Sequence, residues 1–491
     1  MFNTTTKQLA SGTLALALAL QCAAPTLAST VDPTCESSVL QIASAGSSNS
    51  SDFNGGQTVL HGSASQGVDL LNAQIAKKEV ELLKLNTDYR THYTARDKNK
   101  QRRMSAYDFA AGAVANAGDI TLLSQFWKYQ RIPGAGLNRR GRLEAGVITV
   151  LVAYSMLGGM YTAEGVGDLI SDYRSRRQHF DAKSMRERAV AIKDELERLL
   201  KARTEAIAEM PNLDAGEKEY LSCEEKVLRD LKDLGLLEFS KLYIDSRKRH
   251  AQRDITTIGT LAVCATGAFP GALGVLAGIR HTNTKQIGGG GVGFLISGAT
   301  LTAAPVLIYG GGAVTAKVAG ERLSKQLGEL QCRTTAKLHD DTDCLAKLLP
   351  STPLTVALQP RLSTYQEMTK FLTERATFLD KDRQQQKRDM IERFVSYAAE
   401  GGPQIAFGTC VARAGYRWGR NPYKLFKGVA CGATVNEVSW ATWMLSTVAR
   451  QTRNEIRNAK NAKEQSQAAF SETNDDLKRL EAIKAAPATT L

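Results

Sequence analysis

Four carboxylates stand in stretches that otherwise carry no charge: Asp108, Asp119, Glu400 and Glu437. An acid in such surroundings costs several kcal/mol when it enters hydrocarbon, roughly 2.5–3.5 by insertion scales, unless it is paired or wet. The four are therefore expected to face one another, a basic partner or water, and to line a polar interior or pore. Other chemistry is sparse. Six histidines are present without an HExxH spacing, with His250 in a basic cluster and His281 in a polar turn, where solvated roles are expected. Residues 288–293 read GGGGVG and formally satisfy GxGxxG, but they follow a polar turn after a helix, where a dinucleotide site needs a strand. Neither a GxSxG elbow nor a phosphate-binding P-loop occurs. Asp340 with Asp341, and Asp475 with Asp476, sit in solvated sequence without the cleft that separates two pKa values. No catalytic residue, metal or cofactor is expected, and the chain is not expected to be an enzyme.

The cysteines divide by surroundings. Cys35, Cys223, Cys332 and Cys344 lie in polar sequence and are candidates for two disulfides, with three pairings open; Cys332 with Cys344 would close a short local loop. Cys264, Cys410 and Cys431 lie in apolar, glycine-rich sequence, where a thiol packs as a small hydrophobe.

Disulfides presuppose export, and the N-terminus reads that way. Lys7 precedes an uncharged run from 9 to 27, and Thr26 and Ala28 are small residues at a cleavage position, so 1–28 is expected to be a signal peptide that removes Cys22. Residues 29–66 are expected to be a flexible linker, since 44–57 is rich in Ser, Gly and Asn. The balance of 63 Lys and Arg against 50 Asp and Glu points to anionic partners, and export makes nucleic acid the least suitable of them.

The elements that must position the four acids repeat. Three segments, 95–109, 245–258 and 379–394, run from charged helix through a basic cluster into glycine-rich apolar sequence. Each leads to a turn rich in Gly, Pro and Asn, at 132–142, 279–291 and 416–428, and then to a returning helix. The pattern predicts an all-α chain of three tandem helical hairpins at 67–205, 220–335 and 362–485, divided by breakers at 210–219 and 349–360. Leu71, Ile75, Leu82, Leu85 and Tyr89, and likewise Val227, Leu231, Leu234 and Leu237, form one-sided stripes, so the outer arms are expected to be coiled-coil-like stalks. No long alternation predicts a sheet.

The tips are expected to enter a membrane. Residues 255–279, 286–316 and 145–163 carry no charge, and about 20 apolar residues suffice to span. Gly267 with Gly271, Gly274 with Gly278, and Gly428 with Gly432 stand four apart, which bares one helix face for close packing where lipid supplies no hydrophobic drive. Cations at the turns (Arg139, Arg140, Arg417, Arg420) and collars (Arg247, Lys248, Arg249, Lys387, Arg388) are expected to reach anionic head groups, with Trp127, Tyr416, Trp418 and Tyr423 as interfacial aromatics.

In architecture alone the chain resembles helical pore-forming toxins and hairpin-containing membrane proteins, a resemblance that transfers no residues. The expected protein is thus an exported envelope protein with periplasmic or extracellular stalks and a structural, scaffolding or pore-forming role. Membrane lipid is the expected partner, with a second copy or another envelope protein as protein partner. The alternative is a soluble secreted or periplasmic bundle that binds a protein or polyanionic wall component through its basic collars.

Overall fold

Where clusters of Gly, Pro, Asn and Ser are absent, the chain forms long helices. The computed structural model describes residues 62–131, 140–210, 215–331, 334–348 and 355–464. Outside these residues lie the expected signal, the expected linker up to 61, Cys35, Arg139, Cys332 and the end of the third repeat, while 62–66, expected to belong to the linker, are helical. Among the described residues 95% are helical and none is in a strand. All belong to one unit, His61–Leu491.

In chain order the helices are α1 (Gly62–Arg131), α2 (Arg140–Arg177), α3 (Ala182–Ala208), α4 (Ala215–Val263), a π-helical turn at Cys264–Ala268, α5 (Phe269–Arg280), α6 (Thr284–Leu327), α7 (Thr335–Leu348), α8 (Thr355–Arg417) and α9 (Pro422–Glu464). Local chemistry sets several boundaries. Asp181 accepts from the backbone N–H groups of Lys183 and Ser184 and so caps α3, while Asn283 does the same for α6 through Lys285. Gly328 ends α6 with φ 74°, a left-handed conformation that glycine adopts without steric cost.

Burial follows helical spacing. In α3 the buried residues Met185, Ala189, Ile192, Leu196, Leu199 and Arg203 follow alternate steps of four and three, and Leu200 widens the stripe they make. This stripe belongs to a base core shared by the first part of α1, α3, the first part of α4, the end of α6, α7 and the start of α8. A second core lies at the turn ends, where Leu122, Phe126, Val147, Tyr154, Ala272, Phe294, Phe407, Val411 and Val429 meet. Helices α5 and α6, joined at 281–283, pack on each other, as do α8 and α9, joined at 418–421; α1 packs on α2 and α9. The closest association joins α6 to α8.

The base core contains a buried ion network that ties four helices together. Arg203 of α3 donates to Glu224 of α4 at 2.6 Å and to Asn72 of α1 at 2.7 Å, and both charged side chains are fully buried. Arg361 and Tyr365 of α8 also donate to Glu224, the tyrosine at 3.0 Å, and Arg361 reaches Asp69 at 2.6 Å. Burial pushes the Glu224 carboxyl up, but Arg361 and Arg203 outweigh it and hold the group below the ordinary carboxylate range. Glu79, buried in the same core, has no hydrogen-bond partner on either oxygen, and burial, opposed only by Lys232, pushes it well above that range.

Candidate membrane interface

Six runs at the turn ends are bounded by charged residues and contain almost none: 104–127, 145–163, 255–279, 286–316, 394–412 and 428–449, between 19 and 31 residues each. At about 1.5 Å per residue each is roughly 28 Å or longer, comparable with a hydrocarbon core of about 30 Å. The only charges inside them are Asp108, Asp119, Glu400 and Glu437.

The outer surface of this level is apolar. Val306 and Val314 on α6 are 62% and 64% exposed, Val438 and Leu445 on α9 are 61% and 72% exposed, and Ile148, Val152, Ile258 and Val395 add to the same belt. Three stretches, Gly141–Ala208, Ala215–Arg280 and Thr284–Leu327, are long and apolar enough to cross a membrane, and only 39%, 56% and 44% of their most apolar windows is buried inside the protein. The protein's own helices therefore cover this belt only in part. Uncovered apolar area of this extent marks a binding or membrane surface.

Charge brackets the belt. Beyond its turn end lie Lys128, Arg142, Arg280, Lys285, Arg413, Arg417, Arg420, Lys424 and Lys427, all exposed, while Glu144 is the one acid among the described residues there. Glu144 pairs with Arg280 at 3.3 Å, and Arg413 lies over the Trp418 ring at 5.2 Å. Of the turn residues named from sequence, Arg417 and Arg420 are exposed in this group and Arg140 opens α2. The opposite border carries ion pairs: Arg103 with Glu164 at 2.6 Å, Lys100 with Asp168, and Arg249 with Asp245 at 3.1 Å, while the His250 ring lies 3.3 Å from Asp254. Arg247 and Lys248 are half-buried beside this border, and Lys387 and Arg388 are exposed on α8. The guanidinium of Arg103 holds Glu164 below the ordinary carboxylate range.

Inside the belt the packing is backbone to backbone. A Cβ built on Gly291 would lie 2.8 Å from the Gly408 carbonyl oxygen, one on Gly408 2.7 Å from that of Gly291, and one on Gly298 2.8 Å from that of Gly401. Along α6 the contacts fall at 284, 288, 291, 295, 298 and 302, and along α8 at 401, 405, 408, 412, 415 and 419, a seam of alternating fours and threes between antiparallel helices. The nominated glycines border other neighbours. A Cβ built on Gly267 would lie 2.7 Å from Ser297, one on Gly271 3.0 Å from the Gly290 carbonyl, one on Gly274 2.8 Å from the Gly290 Cα, and one on Gly278 would meet Ile287. A Cβ built on Gly428 would lie 2.9 Å from the Trp418 ring, and one on Gly432 2.9 Å from the Cys410 Cβ.

A polar layer lies halfway along the runs. Asp119, Tyr154, Ser297, Gln404 and Asn436 each sit about 12 to 14 residues from the turn end of their helices, counted from 131, 140, 284, 417 and 422, or roughly 20 Å. Asn436 donates to Asp119 at 3.0 Å, and Gln404 donates to Ser297 at 3.0 Å, leaving its own buried oxygen without a hydrogen-bond partner. Glu437 is an electrostatic neighbour of Asp119, as Asp108 is of Glu400, and Tyr161 donates to Asp108 at 3.1 Å. Asp119, Asn436, Tyr154, Phe294 and Phe407 line a cavity of about 30 Å³, room for about two waters. The π-helical turn lies at the same level, and such turns recur at functional sites.

Among the described residues no group of three or more His, Cys, Asp or Glu is placed to hold a metal ion. Cys264 is buried, Cys410 half-buried and Cys431 exposed, while Cys223 and Cys344 meet at the base. Sequence reasoning missed the Gly288, Gly291, Gly298 seam with Gly401, Gly408 and Gly415, although its spacing was there to read. It also missed Glu224 and Arg203, which look like surface charges in a charged helix.

Together these features define an almost entirely helical chain with three stretches long and apolar enough for a bilayer, a protein compatible with membrane association. No family model, no curated protein and no solved structure matches it.

Proposed function

We propose that the chain is an exported envelope protein of three helical hairpins, 67–205, 220–335 and 362–485, whose glycine-rich tips sit together in a membrane above a rigid helical base. Its role is structural, scaffolding or pore-forming. The supporting observation is the belt: six runs of membrane length that hold four acids and no basic residue, with large apolar side chains uncovered around the outside. Lipid tails satisfy that surface, whereas water does not. The exposed cations beyond the tips suit anionic head groups, at about 1 kcal/mol for each Lys or Arg near the surface. A second copy or another envelope protein is the natural protein partner for such a scaffold.

The mid-level layer favours the pore-forming version of this reading, because a buried acid, Asp119, and an orphaned amide oxygen at mid-depth are costly in a purely structural bundle. One reconstitution tests both parts. Full chain expressed with its N-terminus intact should stay in the carbonate-washed membrane pellet, and in anionic liposomes Asp119→Leu and Glu400→Leu should lower conductance while partitioning more strongly. Complete recovery in the carbonate supernatant, the result for a soluble wall-binding bundle, rejects insertion. Conductance unchanged by both substitutions removes the pore-lining role.

A further inference from the structure

Far from the apolar belt, α7 is a helix of 14 residues held against the base by few groups. Leu338 and Leu345 are fully buried against α4 and α8, and Lys337 reaches Asp230 of α4 at 2.9 Å. Between these anchors the Cys223 Sγ of α4 donates to the Asp341 carbonyl of α7 at 3.6 Å, one helical turn before Cys344, and the Cys344 thiol is an electrostatic neighbour of Cys223. Cys223 is 4% exposed, whereas Cys344 opens to solvent.

We propose that Cys223 and Cys344 are an oxidation site that forms a disulfide locking α7 to α4, with an exported thiol–disulfide oxidant as co-reactant. The proposal rests on the export part of the reading above, and not on membrane insertion. Three pairings were open among Cys35, Cys223, Cys332 and Cys344; the packing of Cys223 on the turn of α7 that carries Cys344 favours this one, since a bridge requires thiols brought close by the fold. Accessibility sets the order of events. Burial and the neighbouring Cys344 push the Cys223 thiol up to about 12, so it is a poor first nucleophile. The exposed Cys344 thiolate attacks the oxidant's disulfide and expels one of its sulfurs as thiolate. Cys223, losing its proton, then attacks the Cys344 sulfur and expels the second. Two electrons and two protons leave on the oxidant, now a dithiol, and one S–S bond remains in the protein.

The test fixes the redox potential in the tube. Full chain purified in detergent is equilibrated in glutathione buffer near −200 mV, roughly the poise of an oxidising secretory compartment, then alkylated and digested without reductant. The expected product is a peptide pair joining 223 to 344, two hydrogens lighter than its separate parts. It should persist in the Cys35→Ser/Cys332→Ser variant and vanish in Cys344→Ser. Free Cys223 and Cys344 at that potential, or Cys344 joined to Cys332 or Cys35, overturns the assignment. The export reading is checked separately, by the N-terminal mass of chain recovered from cells; a chain that forms the pair in vitro but keeps 1–28 and free thiols in cells overturns the site as a natural modification.

Discussion

Glu224→Gln is expected to destabilise the fold by about 3–5 kcal/mol, the usual cost of removing one partner from a buried ion pair. Glu224 and Arg203 are fully buried, and the substitution leaves the Arg203 guanidinium with only Glu225, at 3.8 Å, as a counter-charge, while Arg361 keeps only Asp69. The combined change Arg203→Met/Glu224→Leu should recover most of the loss, because Arg361 keeps Asp69 and two apolar side chains fill the space. Denaturant unfolding followed by helical circular dichroism reads both. A loss below about 1 kcal/mol for Glu224→Gln would mean that the network is solvated in solution.

The same network gives a pH signature. Glu224, whose carboxyl is depressed in the fold, contributes stability that is present above its ordinary value near 4.5 and is lost as pH falls through the folded value. Glu79 acts in the opposite sense: its carboxyl is raised, so its contribution is present below that ordinary value and is lost as pH rises through the folded one. Glu79→Leu should therefore stabilise the protein at neutral pH, by about 1–3 kcal/mol for removal of an unsatisfied polar group, and Glu224→Gln should flatten the acid limb.

Gly291→Ala is expected to cost about 1–3 kcal/mol, although alanine gains roughly 1 kcal/mol over glycine inside a helix. Its methyl would press on the Ala412 and Gly408 backbone, which cannot turn aside as a flexible side chain can. Gly408→Ala should cost a similar amount. The pair together should cost less than the sum, because each forces open the same gap between α6 and α8. Gly158→Ala is the control: nothing lies within 4 Å of the new methyl, so it should be neutral or stabilising. Thermal unfolding of the four variants checks this, and a Gly291→Ala protein as stable as the Gly158→Ala one would mean the seam is loose.

Much of this was legible in the sequence because helix, unlike sheet, is a local matter. The uncharged runs 255–279 and 286–316, the turn residues at 281–283 and the stripe from Ile75 to Tyr89 all announce themselves within a window of thirty or so residues. The α6–α8 seam was harder. It alternates steps of three and four, whereas attention to glycines four apart selects Gly267 with Gly271 and passes over Gly291, Gly298, Gly401 and Gly408. Long-range contacts were harder still. Nothing in the neighbourhood of Glu224 distinguishes it from Glu225, which is partly exposed, and only the fold brings Asn72, Arg203 and Arg361 around it. The Cys223 and Cys344 contact depends on α7 docking and has no local signal either.

The central claim, that lipid covers the belt, is tested most directly by placing single tryptophans at Val306, Val314 and Val438 in a chain whose 4 native tryptophans are replaced by phenylalanine. In liposomes carrying brominated acyl chains, all three should be strongly quenched by the lipid and protected from aqueous iodide. Strong iodide quenching with no effect of the brominated chains would place these side chains in water and contradict the account.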